Sequence, residues 1–265
     1  MENVVGYLAA ILIGVSLGLF GGGGSILTIL VLVYLFHIEP TLATGYSLII
    51  VGATALVGGL RSVWYKMVDF RSAVVFSVPS MIAIYLTRHY VLPHIPEVLG
   101  RLGTLNLTKD FATMMLFSVL MIIASLKMIQ KKSIPINSIR PAGNRNVRIA
   151  LQGFIVGILT GTVGAGGGFL ILPALVLLVG IPMEKAVGTS LIIIAINSFI
   201  GSMGDIGTDS PLDYSLALVL SALSIGGVLA GFYVARFFKG DKLKTGFGWF
   251  ALSMAVFIIG KELFF

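Results

Sequence analysis

Long apolar runs separated by short polar joints organise this chain. They extend from Val4 to Phe36, Thr41 to Tyr65, Phe70 to Leu86, Phe111 to Ile129, Val147 to Val179, Ala186 to Met203, Tyr214 to Phe238 and Leu243 to Phe265. Several reach or exceed the roughly 20 residues that a helix needs to cross a bilayer, and none alternates with the two-residue period of a barrel strand. The pattern predicts an all-α polytopic membrane protein. The longest joint of the first half, Arg88 to Asp110, contains Pro93, Pro96, Gly100 and Gly103 and reads as an exposed loop. The stretch Lys127 to Arg148 carries Lys127, Lys131, Lys132, Arg140, Arg145 and Arg148 without an acid, and Pro135 and Pro141 argue against continuous helix. The expected division is a first transmembrane repeat at 1–130, a basic cytoplasmic linker at 131–146 and a second transmembrane repeat at 147–265.

The first run of each half is too long for one crossing. As a straight helix of about 33 residues it would measure near 50 Å, against a hydrocarbon core of roughly 30 Å. Each contains a glycine tract, Gly21-Gly22-Gly23-Gly24-Ser25 in the first and Gly164-Ala165-Gly166-Gly167-Gly168 in the second. Glycine costs roughly 1 kcal/mol relative to alanine in a helix interior, so such a tract breaks the helix where hydrocarbon makes exposed backbone expensive. Splitting the first run there leaves arms of about 16 and 12 residues, or roughly 24 and 18 Å, each short of a full crossing. The arms either continue in one direction as an unwound span or fold back as a re-entrant hairpin.

The two halves are copies. Aligning Gly18 with Gly161 pairs residues 14–58 without a gap to residues 143 positions later, and matches Gly21 with Gly164, Gly23 with Gly166, Gly24 with Gly167, Gly45 with Gly188, Ser47 with Ser190 and Gly58 with Gly201. Matched leucines are expected by chance in apolar segments. The glycines and serines carry the inference of a duplicated unit, the internal symmetry of many transporters.

Composition narrows the class. Of 265 residues, 57% are hydrophobic and only 11% charged, against roughly 25% charged in soluble domains. The absence of cysteine excludes disulfides, thiolate metal sites and a catalytic thiol. The start Met1-Glu2-Asn3 lacks the basic region of a cleaved signal peptide, so the first run is expected to remain in the mature protein. The net charge of +7 is better explained by basic cytoplasmic loops than by a nucleic-acid surface. With the basic linker inside, re-entrant hairpins also put Arg61, Lys66, Arg71, Arg236, Lys239, Lys242 and Lys244 inside, and Asp205, Asp209 and Asp213 outside. Single spans would reverse that assignment for the second half. The expectation is therefore two inverted-topology repeats, each a glycine-broken re-entrant hairpin plus three transmembrane helices, with the two glycine turns approaching mid-membrane from opposite faces.

The candidate chemistry follows from those turns. Gly21, Gly22, Gly23 and Gly24 let backbone N–H groups converge without Cβ atoms in the way, and a helix starting near Ser25 adds unpaired first-turn donors and roughly half a positive charge. Ser25 offers a hydroxyl and an N-cap. In the second copy Gly164, Gly166, Gly167 and Gly168 form the matching turn, so two helix N-termini can face one small oxyanion. The competing reading is that the glycines permit close helix packing. Further candidates lie in the following helices: Thr44, Tyr46 and Ser47 in the first copy, Thr189 and Ser190 in the second, and Asn197 opposite Thr54. Intramembrane Ser and Thr also bond to their own helix carbonyls, which is the alternative for each. His89, His94 and Glu97 lack a second cluster and read as loop residues rather than metal ligands. No acid or base falls deep within an expected span, and no phosphate loop, nucleophile elbow or His-Glu-x-x-His pair is present.

The run Gly161-Thr162-Val163-Gly164-Ala165-Gly166-Gly167-Gly168 with Pro173, the segment Ala186-Val187-Gly188-Thr189-Ser190-Leu191 and their first-half counterparts resemble the TauE/SafE sulfite exporter family over essentially the whole chain. The first copy departs from the second in having Leu30 where the second has Pro173. The resemblance implies a secondary transporter in the cytoplasmic membrane that exports a small anion such as sulfite, thiosulfate, a sulfonate or a related organic anion. Alternating access would operate with the anion held by the glycine-rich helix N-termini. Alternatives are an anion channel or a scaffold of a membrane complex. The protein is not expected to be an enzyme or to need a cofactor or metal. Its expected partners are a small anionic substrate and the lipid bilayer, not nucleic acid, and self-association into a homo-oligomer is left open.

Overall fold

The first apolar run breaks at its glycines and turns back on itself. Helix α1 (Glu2–Phe20) ends at Gly21, whose φ of +65° is left-handed, and α2 (Gly23–Leu30) restarts after Gly22 and continues through π-helical turns over Val31–Leu35. The two arms lie side by side. A Cβ on Gly24 would sit 2.7 Å from the Ile13 carbonyl oxygen, and Gly6, near the start of α1, faces the ring of Phe36 at the end of the second arm. These contacts belong to the computed structural model of the protein, which describes residues 2–91, 94–96, 98–102, 105–130, 145–163, 168–204 and 213–264.

The remaining elements follow the hydropathy pattern. Helices α3 (Pro40–Trp64), α4 (Phe70–Leu86, with π-helical turns over Thr87–Val91) and α5 (Lys109–Ile129) complete the first half. The second half has α6 (Arg145–Val163), α7 (Gly168–Pro173, with π-helical turns over Ala174–Val179), α8 (Met183–Gly204), α9 (Tyr214–Ala235) and α10 (Gly240–Phe264). Six of these helical segments are long and apolar enough to cross a membrane: Leu42–Trp64, Phe70–Val91, Phe111–Ile129, Met183–Met203, Tyr214–Ala235 and Gly240–Lys261. The helical arms Gly23–Leu35 and Gly168–Val179 are apolar but too short. Most of the linker expected at 131–146 lies outside the described residues.

The joint expected as an exposed loop at Arg88 to Asp110 is a correction. Helical turns persist to Val91: α4 accommodates Pro79 in its interior, and no further proline follows until Pro93. Beyond it, β1 (Val98–Leu102) pairs antiparallel with β2 (Leu105–Thr108), so the chain departs from all-α in one short hairpin. The Thr108 hydroxyl then accepts from the Phe111 amide at 3.2 Å and caps α5.

Local geometry recurs between the halves. The second arm of each half ends in π-helical turns closed by matching backbone bonds, Ile38 N–H to the Leu32 carbonyl at 3.0 Å and Ile181 N–H to the Leu175 carbonyl at 3.1 Å. A left-handed residue completes each turn, His37 at φ +53° and Gly180 at φ +77°. Aspartates cap α4 and α9 alike: Asp69 accepts from the Ser72 amide and Asp213 from the Ser215 amide. Pairings between helices are exchanged as well. By their order within each half α1 corresponds to α6 and α4 to α9; α1 packs on α9 while α6 packs on α4, and α3 packs on α8 and α5 on α10.

Glycine makes the closest of these approaches. Gly14 and Gly18 of α1 interlock with Gly227 and Gly231 of α9, with a Cβ on Gly227 only 3.0 Å from Gly14 Cα and one on Gly231 3.0 Å from Gly18 Cα. In the partner crossing, Gly153, Gly157 and Gly161 of α6 rest against Phe76, Ser80 and Thr87 of α4. Apolar helices gain little from burial in hydrocarbon, so backbone proximity and dispersion hold them together. Gly14→Leu and Gly227→Leu are each expected to destabilise the fold by about 1–3 kcal/mol through overpacking. Thermal unfolding of detergent-purified protein measures this, with exposed Leu8→Ala as a neutral control.

Candidate functional site

The first glycine turn is narrower than the tract that encodes it. Gly21 and Gly22 form the break, Gly22 is the N-cap of α2, and Gly23 and Gly24 already belong to its first turn. The expected start near Ser25 is thus corrected by two residues, because the left-handed Gly21 completes the reversal alone. No side chain caps α2. The Ser25 hydroxyl donates instead to the Gly22 carbonyl at 2.8 Å, fastening the turn from within. Thr28 does the same one turn on, donating to the Gly24 carbonyl at 2.7 Å.

The two halves meet at this turn. A Cβ on Gly22 would collide with the Gly168 carbonyl, and one on Gly168 would lie 3.0 Å from Ser25 Oγ and 3.3 Å from Gly22 Cα. Gly22, Ser25 and Gly168 therefore share one buried junction. Gly164, Gly166 and Gly167 lie outside the described residues. Gly23 has more room than its neighbours, its nearest atoms being ring carbons of Phe250 at 3.2 Å and Phe20 at 3.3 Å.

Helix α8 runs along the junction. Gly21 packs against Val187, and the Ser190 hydroxyl lies within hydrogen-bond distance of two carbonyl acceptors, Gly21 at 2.9 Å and its own Val187 at 2.8 Å. One turn further, Ile194 covers Gly168. Next comes Asn197, 1% exposed, whose Nδ2 donates to Ser80 Oγ at 2.8 Å while its Oδ1 is buried with no hydrogen-bond partner. The Ser80 hydroxyl can donate or accept, so a rotated Asn197 amide would keep that bond with the positions of its oxygen and NH2 group exchanged.

The other predicted hydroxyls divide into engaged and unengaged groups. Thr189 accepts from the Asp69 amide at 2.9 Å and donates to the Lys185 carbonyl at 2.7 Å, which ties α8 to the cap of α4. This is a structural role in the observed arrangement, and so is that of Tyr46, whose oxygen accepts from the Asp213 amide at 2.6 Å. Thr54, at the position matching Asn197, donates to its own Ile50 carbonyl at 2.6 Å. Ser47, at the position matching Ser190, is fully buried, and its Oγ has no hydrogen-bond partner. An unmet buried hydroxyl of this kind costs about 1–3 kcal/mol.

Thr44 exposes a residue that the sequence reading missed. Arg88 Nη2 donates to Thr44 Oγ1 at 3.3 Å, and Arg88 is only 6% exposed. The sequence reading left Arg88 in the joint beyond the span Phe70 to Leu86; it is buried because it rides on the helical turns that prolong α4 toward that end of the molecule. The absence of proline or glycine between Leu86 and Leu92 was the available signal. Of the three loop residues weighed as ligands, His94 Nδ1 lies 2.7 Å from the Tyr90 carbonyl and His89 stacks on Tyr85. Glu97 lies outside the described residues, and among those described no group of three potential metal ligands occurs.

With this geometry established, comparison with known proteins gives a family. The model of the family described as Sulfite exporter TauE/SafE matches residues 6–258, and the chain belongs to that family. A probable membrane transporter protein of Xylella fastidiosa (strain 9a5c) is 28% identical over 261 residues, covering 95% of this chain and 92% of the relative. A probable membrane transporter protein of Bacillus subtilis named YunE is 30% identical over 251 residues, covering 84% and 85%. A third, MJ0441 of Methanocaldococcus jannaschii, is 34% identical over 116 residues, covering 42% and 43%. No solved structure matches. The chain is a multi-pass membrane protein of a transporter family.

The junction makes a steric prediction. Gly22→Val is expected to lower the midpoint of thermal unfolding by an amount equivalent to about 1–3 kcal/mol, whereas Gly23→Ala, whose Cβ needs only a few tenths of an ångström of give from the Phe250 and Phe20 rings, should change stability by less than about 1 kcal/mol. Differential scanning fluorimetry on detergent-purified variants distinguishes the two.

Proposed function

We propose that this member of the TauE/SafE family is a secondary transporter of a small anion, with sulfite and related sulfur oxyanions as the leading substrate class. The observation that carries the reading is the pairing of the Gly22–Gly168 backbone junction with buried, unpartnered polar atoms on the helices around it, Ser47 Oγ on α3 and Asn197 Oδ1 on α8. A polypeptide in hydrocarbon normally satisfies its polar groups internally. Leaving two unmet on the helices that pack around an uncapped helix N-terminus suits a site that is completed by its solute. Bare N–H groups and hydroxyls recognise an oxyanion without placing a fixed cation beside it, and the positive end of the α2 dipole favours negative charge.

The fold supports alternating access through two inverted repeats, each with a re-entrant hairpin. The arms of the first hairpin lie antiparallel, and the repeated caps and exchanged helix pairings relate the halves. One end of the molecule gathers the joints that carry most of the basic residues: Gly188 meets the Met67 carbonyl, and Glu184 Oε1 accepts from the Gly240 amide at 3.0 Å. We assign this end to the cytoplasm by the excess of Lys and Arg. The opposite end holds Tyr46, Arg88 and Asp213. The contact of Ser190 with the Gly21 carbonyl then closes the site toward the cytoplasm, and its rupture would accompany opening. In this scheme α8 moves against the first hairpin, and export follows when the anion is released at the other end.

Counterflow of radiolabelled sulfite into proteoliposomes tests the reading, with thiosulfate, sulfoacetate, acetate and chloride as competitors. Saturable exchange that sulfur oxyanions inhibit is expected. Flux that is unsaturable and only downhill would make the protein a channel. Ser47→Ala separates ligand binding from structure: deleting an unsatisfied hydroxyl leaves thermal stability unchanged or higher, while the KM for sulfite rises several-fold. A fall in stability with unchanged KM would make Ser47 structural.

A further inference from the structure

A cavity of about 530 Å³ opens at the end that we assign to the cytoplasm, and its wall reaches the back of the glycine turn. Gly18 and Leu19 at the end of α1 and Val187 on α8 line it, and Val187 Cα is also 2.8 Å from where a Cβ on Gly21 would lie. Arg61 and Arg236 line the same cavity, with Glu184 as the acidic group. The carboxylate is already committed to the α10 N-terminus through the Gly240 amide at 3.0 Å. Among the described residues no ion pair joins it to either arginine.

Arg61 is built into position. It is half-buried on α3, its guanidinium carbon lies 4.8 Å from the Phe232 ring centroid and 5.6 Å from that of Tyr65, and Nη1 donates to the Leu229 carbonyl at 3.3 Å. Two aromatic faces and one carbonyl hold the planar group while leaving most of its five N–H donors uncommitted. Arg236 sits 5.8 Å from the Tyr233 centroid on α9. A charged fork fixed in this way matches an oxyanion bidentately, and apolar walls of low dielectric strengthen its field. No candidate assigned from the glycine tracts lies among these residues.

We propose that this cavity is a second anion site, an entry vestibule in which Arg61, assisted by Arg236, captures the oxyanion before it reaches the Gly21–Gly22 turn. The proposal rests on the transporter reading for its place in a transport cycle, but its binding step stands independently. Val187 is the lining residue that also touches Gly21, and Ser190 bonds Gly21 one turn further on, so passage inward would separate α8 from the turn. The vestibule therefore concentrates substrate on one side only.

Two measurements test it with sulfite as the probe. In phosphatidylcholine vesicles of known protein orientation, Arg61→Gln should raise KM about tenfold for sulfite presented at the vestibule face, leave KM at the other face unchanged, and weaken the dependence of rate on ionic strength. Arg61→Lys, which keeps the charge and loses the fork, should fall between. Calorimetric titration of sulfite into the detergent-purified chain should show the same order of affinities. Equal KM changes at both faces, or none, would overturn the proposal. So would an effect of Arg61→Gln confined to vesicles containing phosphatidylglycerol, which would assign Arg61 to lipid headgroups. If sulfite binds in an Arg61-dependent manner but no vesicle shows transport, the vestibule stands and the transporter reading falls. Loss of neither binding nor transport in Arg61→Gln reverses that outcome.

Discussion

An interrupted helix inside an apolar protein must find partners for the backbone that the interruption frees, and this requirement shapes the molecule. Gly21 leaves the helical path, so its carbonyl cannot continue the α1 ladder; the buried Ser190 hydroxyl of α8 lies 2.9 Å away. Gly22 and Gly24 in turn have carbonyls bonded by Ser25 and Thr28. Left bare in hydrocarbon, the Gly21 carbonyl would cost several kcal/mol. The second half of the chain is therefore needed to make the first half's break affordable, and the break in turn gives α8 its docking position.

Glycine acts in two distinct ways here. At Gly21 it supplies a left-handed φ, which no β-carbon residue enters cheaply. Along α1, α6 and α9 it is helical and serves only to let backbones approach, as the interlocked Gly14, Gly18, Gly227 and Gly231 show. The two uses occur within one apolar segment, and both need the opposite half: the packing glycines align the helices whose turns then meet at Gly22 and Gly168. Close packing and a polar junction are thus parts of one construction rather than competing explanations of the same residues.

Polar side chains in the interior fall into groups by what they satisfy. Thr28, Thr54 and Thr189 complete local helix carbonyls, a low-cost arrangement that also stiffens the turn. Arg88 and Thr44 join α4 to α3, and the burial of that guanidinium gives the second end of the molecule a cation close to a hydroxyl. Ser47 and Asn197 retain unmet oxygen atoms. So do Ser77 on α4, Thr160 on α6 and Ser198 on α8, which spreads the unmet oxygens over both halves.

Hydropathy alone determined that this is a helical membrane protein, because only long uncharged runs satisfy backbone and lipid together, and the family followed from the glycine tracts and the segment around Ser190. The break near Gly21 was equally legible, since the length of Val4 to Phe36 and four contiguous glycines both required it. What no linear pattern could specify was which atoms meet the break. Ser190, Thr189, Thr44 and Ser47 are alike as hydroxyls in apolar helices, yet one faces a turn, one ties a cap, one receives an arginine and one has no partner. Those differences arise from the azimuth of each helix and from partners 44 to 169 positions away. Burial of Arg88 and the vestibule around Arg61 have the same origin: charge is visible in sequence, whereas the walls that hold and desolvate it exist only once α3, α4, α8 and α9 have packed.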